Sequence, residues 1–512
     1  MKRFTITLSI LSLLLASLFP ACDELEDHYS TNPTLRLSFS ADTLSFDTIF
    51  SAVGSATRQF MIYNKNQEPL NIESIMLASG EATGFRMNVD GRKGSYFDNV
   101  GIQADDSMYV FVEVTVDPNG GNQPLLIQDS VLFTVNGTRQ SVLLEAYGQD
   151  VHLCKGGVTL HGDTTLAADR PYLVYDSLVV APDAQLRIEP GTTFYLHDKA
   201  NLIVHGTMLA QGTLEQPITF RGDRLDYILN DILPYDRTPG QWGGICLKPE
   251  SYGNVWSYVE MRNATTGLRC EASTPDHPKL TISDSRLTNS SGDLLLAINC
   301  DITASNSEFS NAGGSTLALI GGKYAFAHCT VANFMSLTQR VTADEETPLD
   351  SKSLYLLHNA RFEEGGPYPI TQARFDNCII DGSYTASDLD EGGEIEISAD
   401  RVIASKAGNL PDFDFRFNHC VLKAQATEDS RFTDNLFTRE SPSYRMTGGK
   451  ANKYTYDFRP DSATTLGVGK ADPEVAKRYP TDRYGISRLG NESGPAIGAY
   501  EFTPEEEKET GE

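Results

Sequence analysis

The stretch that decides the fold runs from residue 178 to residue 220. It begins Leu178-Val-Val-Ala-Pro-Asp-Ala-Gln-Leu-Arg-Ile-Glu-Pro-Gly-Thr-Thr-Phe194, continues Leu202-Ile-Val-His-Gly-Thr-Met-Leu-Ala-Gln-Gly-Thr213 and ends Gln216-Pro-Ile-Thr-Phe220. Short apolar runs alternate here with turn residues. Gly191, Gly206 and Gly212 fall where each short strand must turn, because glycine accepts turn conformations without steric cost. The pattern predicts short strands joined by tight turns.

A true internal repeat follows this stretch. Four segments align on their final asparagines, at intervals of 26, 22 and 22 residues: Trp256–Asn263, Ile282–Asn289, Ala304–Asn311 and Phe326–Asn333. Phe375–Gly382 and Phe417–Leu422 continue the pattern 49 and 42 residues further on, intervals that we interpret as two turns each with insertions. A period of about 20–30 residues indicates stacked units that cannot bury their apolar faces alone. The Leu-x-x-Leu-x-Leu spacing of leucine-rich repeats is missing.

The two ends of this region resemble a known class. Segment 178–220 resembles the first turns of secreted right-handed β-helices of the pectate-lyase-like class, and Trp242-Gly-Gly-Ile245 fits the next strand of that family. The closing segments Tyr456–Pro460, Asp482–Gly485 and Gly494–Phe502 resemble the end of Bacteroidota β-helix proteins. The resemblance implies a right-handed parallel β-helix over residues 151–502, followed by an acidic, disordered tail at 503–512.

The repeated asparagines predict a structural ladder. At a tight turn, an asparagine amide can bond the turn backbone and the equivalent asparagine one turn of the helix away. The expected members are Asn263, Asn289, Asn311 and Asn333.

Small residues four places before the repeat asparagines predict a second column. They are Ser285, Ser307 and Cys329, continued by Cys378 and Cys420. A free cysteine packs as a small hydrophobe, so we favour a buried Ser/Cys stack. Disulfides remain the alternative, because an exported chain can form them. No CxxC motif occurs, so zinc-binding and redox motifs of that type are absent.

Residues 34–150 carry a different pattern of short alternating runs, such as Val110–Val116. Two runs flank the Asn136-Gly137 pair, a sequence typical of tight β-hairpins. The block resembles the immunoglobulin-like modules that follow the anchor in many surface lipoproteins, most clearly over Arg58–Ile72. The predicted fold class is therefore all-β, with an N-terminal antiparallel β-sandwich followed by a right-handed parallel β-helix.

The first residues predict export and lipidation. Lys2 and Arg3 precede an apolar run, Phe4–Phe19, which is too short for a comfortable membrane span. Ala21-Cys22 after this run resembles the bacterial lipobox, which implies a signal peptide at 1–21, a lipid on Cys22 and a tether at 22–33. An ordinary secretory peptide with a chance cysteine is the alternative. The acidic residues after Cys22 resemble the surface-export signal of Bacteroidota lipoproteins, so we expect an outer-membrane, lipid-anchored location at the cell surface.

Charge and composition exclude one class of partner. The net charge of −27 and the absence of a basic run beyond the start argue against nucleic-acid binding. Charged residues make up 22% of the chain and hydrophobic residues 40%, as in folded soluble proteins.

Few residues stand out as candidates for chemistry. Trp242 and Tyr252 are possible ligand-binding aromatics, with a buried role as the alternative. Asp381, Asp388, Asp390 and Glu391 form a weak candidate cation site, with a solvated loop as the alternative. His328 and His419 are expected to point outward from their strands. The segments 223–239, 335–370 and 384–411 interrupt the repeat and are expected to be loops. No catalytic set and no cofactor site is recognisable.

This β-helix class hosts enzymes, binding proteins and adhesins, so the fold does not decide the function. We expect a noncatalytic cell-surface lipoprotein whose β-helix binds polysaccharide or another cell-surface polymer. A polysaccharide lyase or glycosidase acting in a β-helix groove is the main alternative, and a purely structural role is the third. Neither the ligand nor the oligomeric state follows from the sequence.

Overall fold

The computed structural model describes residues 28–504, except 52, 119, 230–232, 341–350, 363–364, 385–392, 400–412, 450–453 and 491–492. The chain divides into two units, Met1–Asp150 and Val151–Glu512. Antiparallel sheets dominate the first unit and long parallel sheets the second, which confirms the predicted fold class. Within the described ranges, no helix is long and apolar enough to span a membrane.

The described residues of the first unit form a sandwich of two five-stranded sheets. In spatial order, one sheet contains Ser38–Phe39, Arg58–Tyr63, Ser107–Val114, Phe85–Val89 and Arg92–Gly94, and the other contains Thr43–Phe50, Thr138–Gln149, Leu125–Val135, Leu70–Leu77 and Tyr96–Ile102. Alternate residues of both sheets enter a common core. Asn136 and Gly137, at φ 48° and 71°, turn the predicted hairpin. Thr43–Phe50 departs from the antiparallel expectation, because it pairs in parallel with Thr138–Gln149.

The second unit winds through three parallel sheets, which we name by their number of described strands. The eleven-stranded sheet contains His152–Cys154, Tyr172–Val174, Thr193–Leu196, Ile218–Gly222, Val259–Arg262, Arg286–Ser290, Glu308–Ala312, Thr330–Asn333, Ile379–Gly382, Val421–Leu422 and Leu436–Phe437. The nine-stranded sheet contains Val158–Leu160, Ser177–Val180, Asn201–Val204, Gly244–Leu247, Leu268–Cys270, Leu295–Ile298, Leu317–Ile320, Leu354–His358 and Ile395–Ala399. The ten-stranded sheet contains Asp163–Leu166, Gln185–Ile188, Thr207–Gln211, Asn254–Ser257, Pro278–Ser283, Asp301–Ser305, Gly322–Ala327, Ile370–Asp376, Phe415–Asn418 and Phe432–Thr433.

Smaller elements decorate the β-helix. In the part of the chain that the structure describes, three two-stranded sheets pair Tyr227–Leu229 with Leu233–Pro234, Ala360–Phe362 with Gly365–Tyr368, and Tyr444–Thr447 with Tyr456–Pro460. A 3₁₀ turn covers Tyr235–Arg237, and an α-helix covers Pro473–Arg478.

Similar side chains stack on one another from one turn of the helix to the next. The chain passes from the ten-stranded to the eleven-stranded to the nine-stranded sheet and then repeats, so equivalent residues meet on adjacent strands. Aromatic rings form one such interior column: Phe326, Phe375, Phe417 and Phe432 stack at centroid distances of 5.2, 4.7 and 5.1 Å. The core is therefore continuous along the helix.

The interpretation of the long repeat intervals as two turns each is wrong. Thr330–Asn333 pairs directly with Ile379–Gly382, which pairs with Val421–Leu422, so each interval is a single turn with insertions. The segments 335–370 and 384–411 are also more than loops. They contribute Leu354–His358 and Ile395–Ala399 to the nine-stranded sheet, where leucine and isoleucine side chains enter the core.

The column of small residues lies inside the helix, and its cysteines form no disulfides. Ser285, Ser307, Cys329, Cys378 and Cys420 are fully buried. The Ser285 amide donates to Ser307 Oγ at 3.1 Å, and the Cys378 amide donates to Cys420 Sγ at 3.4 Å. The seven cysteines beyond Cys22 are unpaired thiols, in agreement with the predicted stack rather than the disulfide alternative.

The described turns of the helix end at Phe437, and the chain then folds back over the eleven-stranded sheet. We call residues 438–502 the C-terminal cover. Its Tyr500 hydroxyl donates to Glu308 of the sheet, and its Arg483 pairs with Glu260 at 2.9 Å. The cover therefore buries one part of the outer face and leaves a cleft beside it.

Candidate functional site

Charged side chains stand on the outer face of the eleven-stranded sheet. The repeat places them in register, because Glu260 pairs with Arg286 and Arg286 pairs with Glu308 on the next strand. Their apolar neighbours, such as Met261 and Leu287, point into the core, as strand alternation requires. The sheet therefore carries a row of alternating charges on its outside.

Two walls turn this row into a cleft. One wall is the 3₁₀ turn Tyr235–Arg237 from the insertion at 223–239, and the other is Tyr454–Tyr456 of the C-terminal cover. The cavity between them measures about 270 Å³. We call it the cleft; its lining residues are Asp236, Arg237, Glu260, Met261, Arg262, Asn263, Arg286, Thr288, Asn289, Tyr454, Thr455 and Tyr456.

Asp236 is held at the cleft wall by two guanidinium groups. Its Oδ1 lies 2.7 Å from Arg262 Nε and 3.0 Å from Arg221 Nη2. Burial lowers the pKa of Arg221, although the charge of Asp236 opposes that effect. The wall is thus tied to the floor by paired charges, each with part of its side chain open to solvent.

Arg286 is fixed at the covered end of the cleft. Its Nε donates to Glu308 Oε1 at 3.0 Å. Burial would raise the pKa of Glu308, but Arg286 and the hydroxyl donors of Ser310 and Tyr500 outweigh burial and hold that pKa below its usual value. The charge of Glu308 in turn raises the pKa of Arg286. A permanent cation therefore faces the cleft with 31% of its side chain exposed.

This arrangement suits binding better than acid–base chemistry. Glycoside hydrolysis by a carboxylate pair needs one protonated carboxyl group as the acid. Among the described residues of the cleft and its floor, Asp236, Glu260 and Glu308 each already pair with a guanidinium, and the pKa of Glu308 is held below its usual value. Fixed guanidinium groups and tyrosine rings can instead donate to hydroxyl or carboxylate groups and stack on sugar rings.

The structure overturns one predicted ligand contact and leaves the other on the surface. Trp242 is fully buried and donates from Nε1 to the Arg262 carbonyl at 2.8 Å, so it supports the cleft from inside and cannot touch a ligand. Its side chain fills the core. Tyr252 is half-buried elsewhere, with its hydroxyl 3.2 Å from Thr274 Oγ1 and Lys279 Nζ 5.1 Å from its ring centroid. It does not line the cleft.

Asp381 is a buried structural group and does not form a cation site in the described chain. It accepts from Ser441 Oγ and Tyr444 Oη, each at 3.0 Å, and lies 3.7 Å from Lys423 Nζ. Asp388, Asp390 and Glu391 lie outside the described residues, as does Cys22. No group of three or more possible metal ligands occurs in the part of the chain that the structure describes.

His328 was predicted to point outward from its strand, but the structure buries its side chain. His328 lies in a left-handed turn at φ 50° and is fully buried, with Nε2 2.9 Å from Asn377 Nδ2. Burial, followed by the nearby charge of Arg488, lowers its pKa well below the usual value. His419, in the equivalent turn, is half-buried. Neither lines the cleft.

Sequence reasoning missed the charged residues of the cleft. A signal was present in Val259-Glu-Met-Arg262, where charges alternate with apolar residues, and in the placement of Asp236 within an insertion. Nothing in the sequence indicated that Tyr454–Tyr456 would close the other side.

Comparisons with known proteins do not assign a family. No family model matches the sequence, and no curated protein sequence matches it. A structure of a protein of unknown function from Porphyromonas gingivalis W83 matches 26% of this chain and 60% of its own, at 14% identity and TM-score 0.18. A family 123 glycoside hydrolase from Clostridium perfringens matches 26% of this chain and 31% of its own, at 8% identity and TM-score 0.17. The Agl-KA catalytic domain matches 75% of this chain and 80% of its own, at 11% identity and TM-score 0.25.

The chain thus spans 60% and 31% of the first two matched structures. TM-scores this low do not establish a shared fold, and the architecture rests on the strand pairing of the chain itself.

Proposed function

We propose that this protein is a noncatalytic surface lipoprotein that binds polysaccharide in the cleft. The carrying observation is the pair of guanidinium groups, Arg262 and Arg286, fixed by carboxylates on the floor of an open, tyrosine-walled cleft. Fixed donors lose little conformational freedom when they bind a ligand. The cleft lies across strands that repeat at about 4.8 Å, so a chain-like ligand can run along the same face.

The anchor belongs to the same proposal. The apolar run and Ala21-Cys22 support a lipid on Cys22 and display at the outer membrane, with the binding units outside the cell. The lipid on Cys22 would then attach the protein to the membrane. A polysaccharide would be its polymer partner.

Affinity electrophoresis through gels containing plant, host or bacterial polysaccharides tests the cleft. We expect at least one polymer to retard the full-length protein, and Arg262→Gln to weaken that retention about tenfold. Arg187→Gln is the matched control, because Arg187 is an exposed strand residue of the ten-stranded sheet. The proposal fails if no polymer retards the protein, or if Arg262→Gln and Arg187→Gln behave alike.

A second candidate is a polysaccharide lyase or glycosidase. The observation in its favour is that two carboxylates, Asp236 and Glu260, share the cleft with Arg262. Incubation with the same polymers would then release reducing ends or unsaturated products, and Asp236→Asn with Glu260→Gln would abolish the release. Such products would replace the noncatalytic proposal.

A further inference from the structure

The N-terminal sandwich has a pocket of its own on its outer surface. It measures about 410 Å³, within the size range of small-ligand sites. Its lining comes from the adjacent strands Ser107–Val114 and Phe85–Val89, and the hairpin strand Arg92–Gly94 borders it. All lining residues belong to the first unit, so the pocket is independent of the cleft.

An aromatic platform formed by Tyr109 and Phe111 lies on the same outer face, and Phe111 lines the pocket. Phe111 points outward because its neighbours Val110 and Val112 are fully buried in the core. Tyr109, two residues earlier on the same face, is 46% exposed, and the two rings stack at 5.8 Å with an interplanar angle of 23°. Exposed rings of this kind offer a flat apolar face.

Amide groups flank the platform on both neighbouring strands. Phe111 pairs with Gln59 on one side and with Asn88 on the other. Asn88 Oδ1 is buried and has no hydrogen-bond partner among the described residues. A buried acceptor without a partner costs free energy, so a donor supplied by a ligand would be stabilising.

The rim carries both signs of charge. Glu81, Glu113, Arg86 and Lys93 all line the pocket, and Arg86 pairs with Glu113 on the adjacent strand, so neither a cationic nor an anionic ligand is favoured overall. Glu113 already accepts from Thr57 Oγ1 at 2.8 Å, and Arg86 donates to Thr115 Oγ1 at 2.7 Å. The chemistry that fits is a neutral ligand with one apolar face and many hydroxyl donors.

We infer that the sandwich binds a neutral oligosaccharide. One sugar ring lies on Phe111, and a ring hydroxyl donates to Asn88 Oδ1 once the side-chain amide turns toward the pocket that it lines. This site rests on observations in the first unit alone and is separate from the proposed polysaccharide cleft.

The test is isothermal titration of the full-length protein with neutral hexasaccharides, namely cello-, xylo-, manno-, malto- and β-1,3-gluco-hexaose. We expect at least one to bind. Asn88→Leu keeps the side-chain size and removes the acceptor, and should weaken binding at least tenfold, as should Phe111→Ala. Tyr96→Ala is the matched control, because Tyr96 is a 59% exposed tyrosine on the other sheet of the sandwich.

Arg262→Gln separates this site from the cleft: any binding that belongs to the cleft should weaken in Arg262→Gln, whereas binding in the sandwich should persist there and be lost in Asn88→Leu. Binding that disappears in Arg262→Gln but persists in Asn88→Leu would place the sugar in the cleft and overturn the inference. Absence of binding by all five sugars would overturn it too. The inference would also be overturned if a tyrosine-containing peptide binds and no sugar does, because the pocket would then be a peptide-binding site.

Discussion

Asn289 Nδ2 donates to Asn263 Oδ1 at 2.7 Å across adjacent turns of the β-helix. Both residues adopt left-handed backbone angles, φ 65° and 68°, which asparagine accepts more readily than most residues. Their amides also donate to the carbonyls of Arg237 and Asp236, each at 2.9 Å. The predicted ladder therefore holds the insertion that forms one wall of the cleft.

Further along the helix the same register position bonds differently. Asn311 Oδ1 accepts from the Phe334 amide at 2.9 Å, and Asn333 donates from Nδ2 to the Ala312 carbonyl at 2.9 Å. The column therefore contains one hydrogen bond between two asparagine side chains, from Asn289 to Asn263. Asn311 and Asn333 bond to main-chain groups instead.

Replacing Asn311 should destabilise the β-helix. Asn311 is fully buried at φ 61°, and Asn311→Leu would leave the Phe334 amide without its acceptor, at a cost of about 1–3 kcal/mol in the free energy of unfolding. Urea unfolding measures the change. Asn311→Gly also removes the acceptor but accepts this φ without strain, so it should show a smaller loss than Asn311→Leu. Thr303→Val, at an exposed strand position, is the control, and an Asn311→Leu midpoint equal to the control's would contradict the ladder.

The repeat predicted register well because the small residue and the asparagine recur together on the consecutive turns that end at Asn289, Asn311 and Asn333. A small residue must fit inside the helix, and an asparagine must adopt the left-handed turn, so both leave a sequence signal. Insertions leave no comparable signal. The 49-residue interval between Cys329 and Cys378 resembled two periods, yet its strands pair as a single turn.

The cleft could be predicted only in part. The alternation of Glu260 and Arg262 with apolar residues places them on the outer face. The pairing of Arg483 with Glu260 joins residues 223 apart in sequence, and no local pattern encodes that contact. The burial of Trp242 and His328 could not be predicted either, because the packing that encloses them leaves no short sequence pattern.

Asp381 should make stability depend on pH. Burial raises its pKa from 3.8 to about 6, against the opposing charge of Lys423. The folded state therefore holds this proton more tightly than the unfolded chain does. The stability contributed by protonated Asp381 is complete below about pH 4 and is lost as pH rises through 6, a change of about 3 kcal/mol.

Asp381→Asn stays neutral and should remove that change. Urea unfolding of both proteins between pH 4 and 7 should show the variant gaining stability relative to wild type as pH rises. Asp183→Asn, at an exposed turn, is the control. A constant difference between wild type and Asp381→Asn across this range would refute the assignment.

Lipidation predicts a change in membrane partition. Cys22 follows the apolar run and Ala21, and its thiol would carry the lipid. In cells that express the full chain, Cys22→Ser should move the protein from the membrane pellet to the soluble fraction, and labelled palmitate should no longer be incorporated. Cys154→Ser is the control, because it removes a thiol from the β-helix and leaves the leader intact. Membrane retention of Cys22→Ser would disprove the anchor.

Arg488 should hold the C-terminal cover in place. Its Nη1 pairs with Glu501 Oε1 at 2.7 Å, with 0% and 2% of the two side chains exposed, and its Nη2 donates to Asn306 Oδ1 of the β-helix at 3.1 Å. Arg488→Met would leave the Glu501 carboxylate buried without its partner, which costs about 3–5 kcal/mol for a buried pair.

Limited proteolysis is the sensitive measurement for this variant, because the cover packs on the outer face while the interior columns of the β-helix stay intact. We expect Arg488→Met to be cut within residues 438–502 at protease concentrations that spare wild type, and to lose the tyrosine wall of the cleft. Arg488→Met with Glu501→Gln should recover part of the resistance, since no buried charge then remains unpaired. Lys477→Met removes an exposed ion pair of the same segment, worth only about 0–1 kcal/mol. Equal cleavage of Arg488→Met and Lys477→Met would show that the buried pair does not retain the cover.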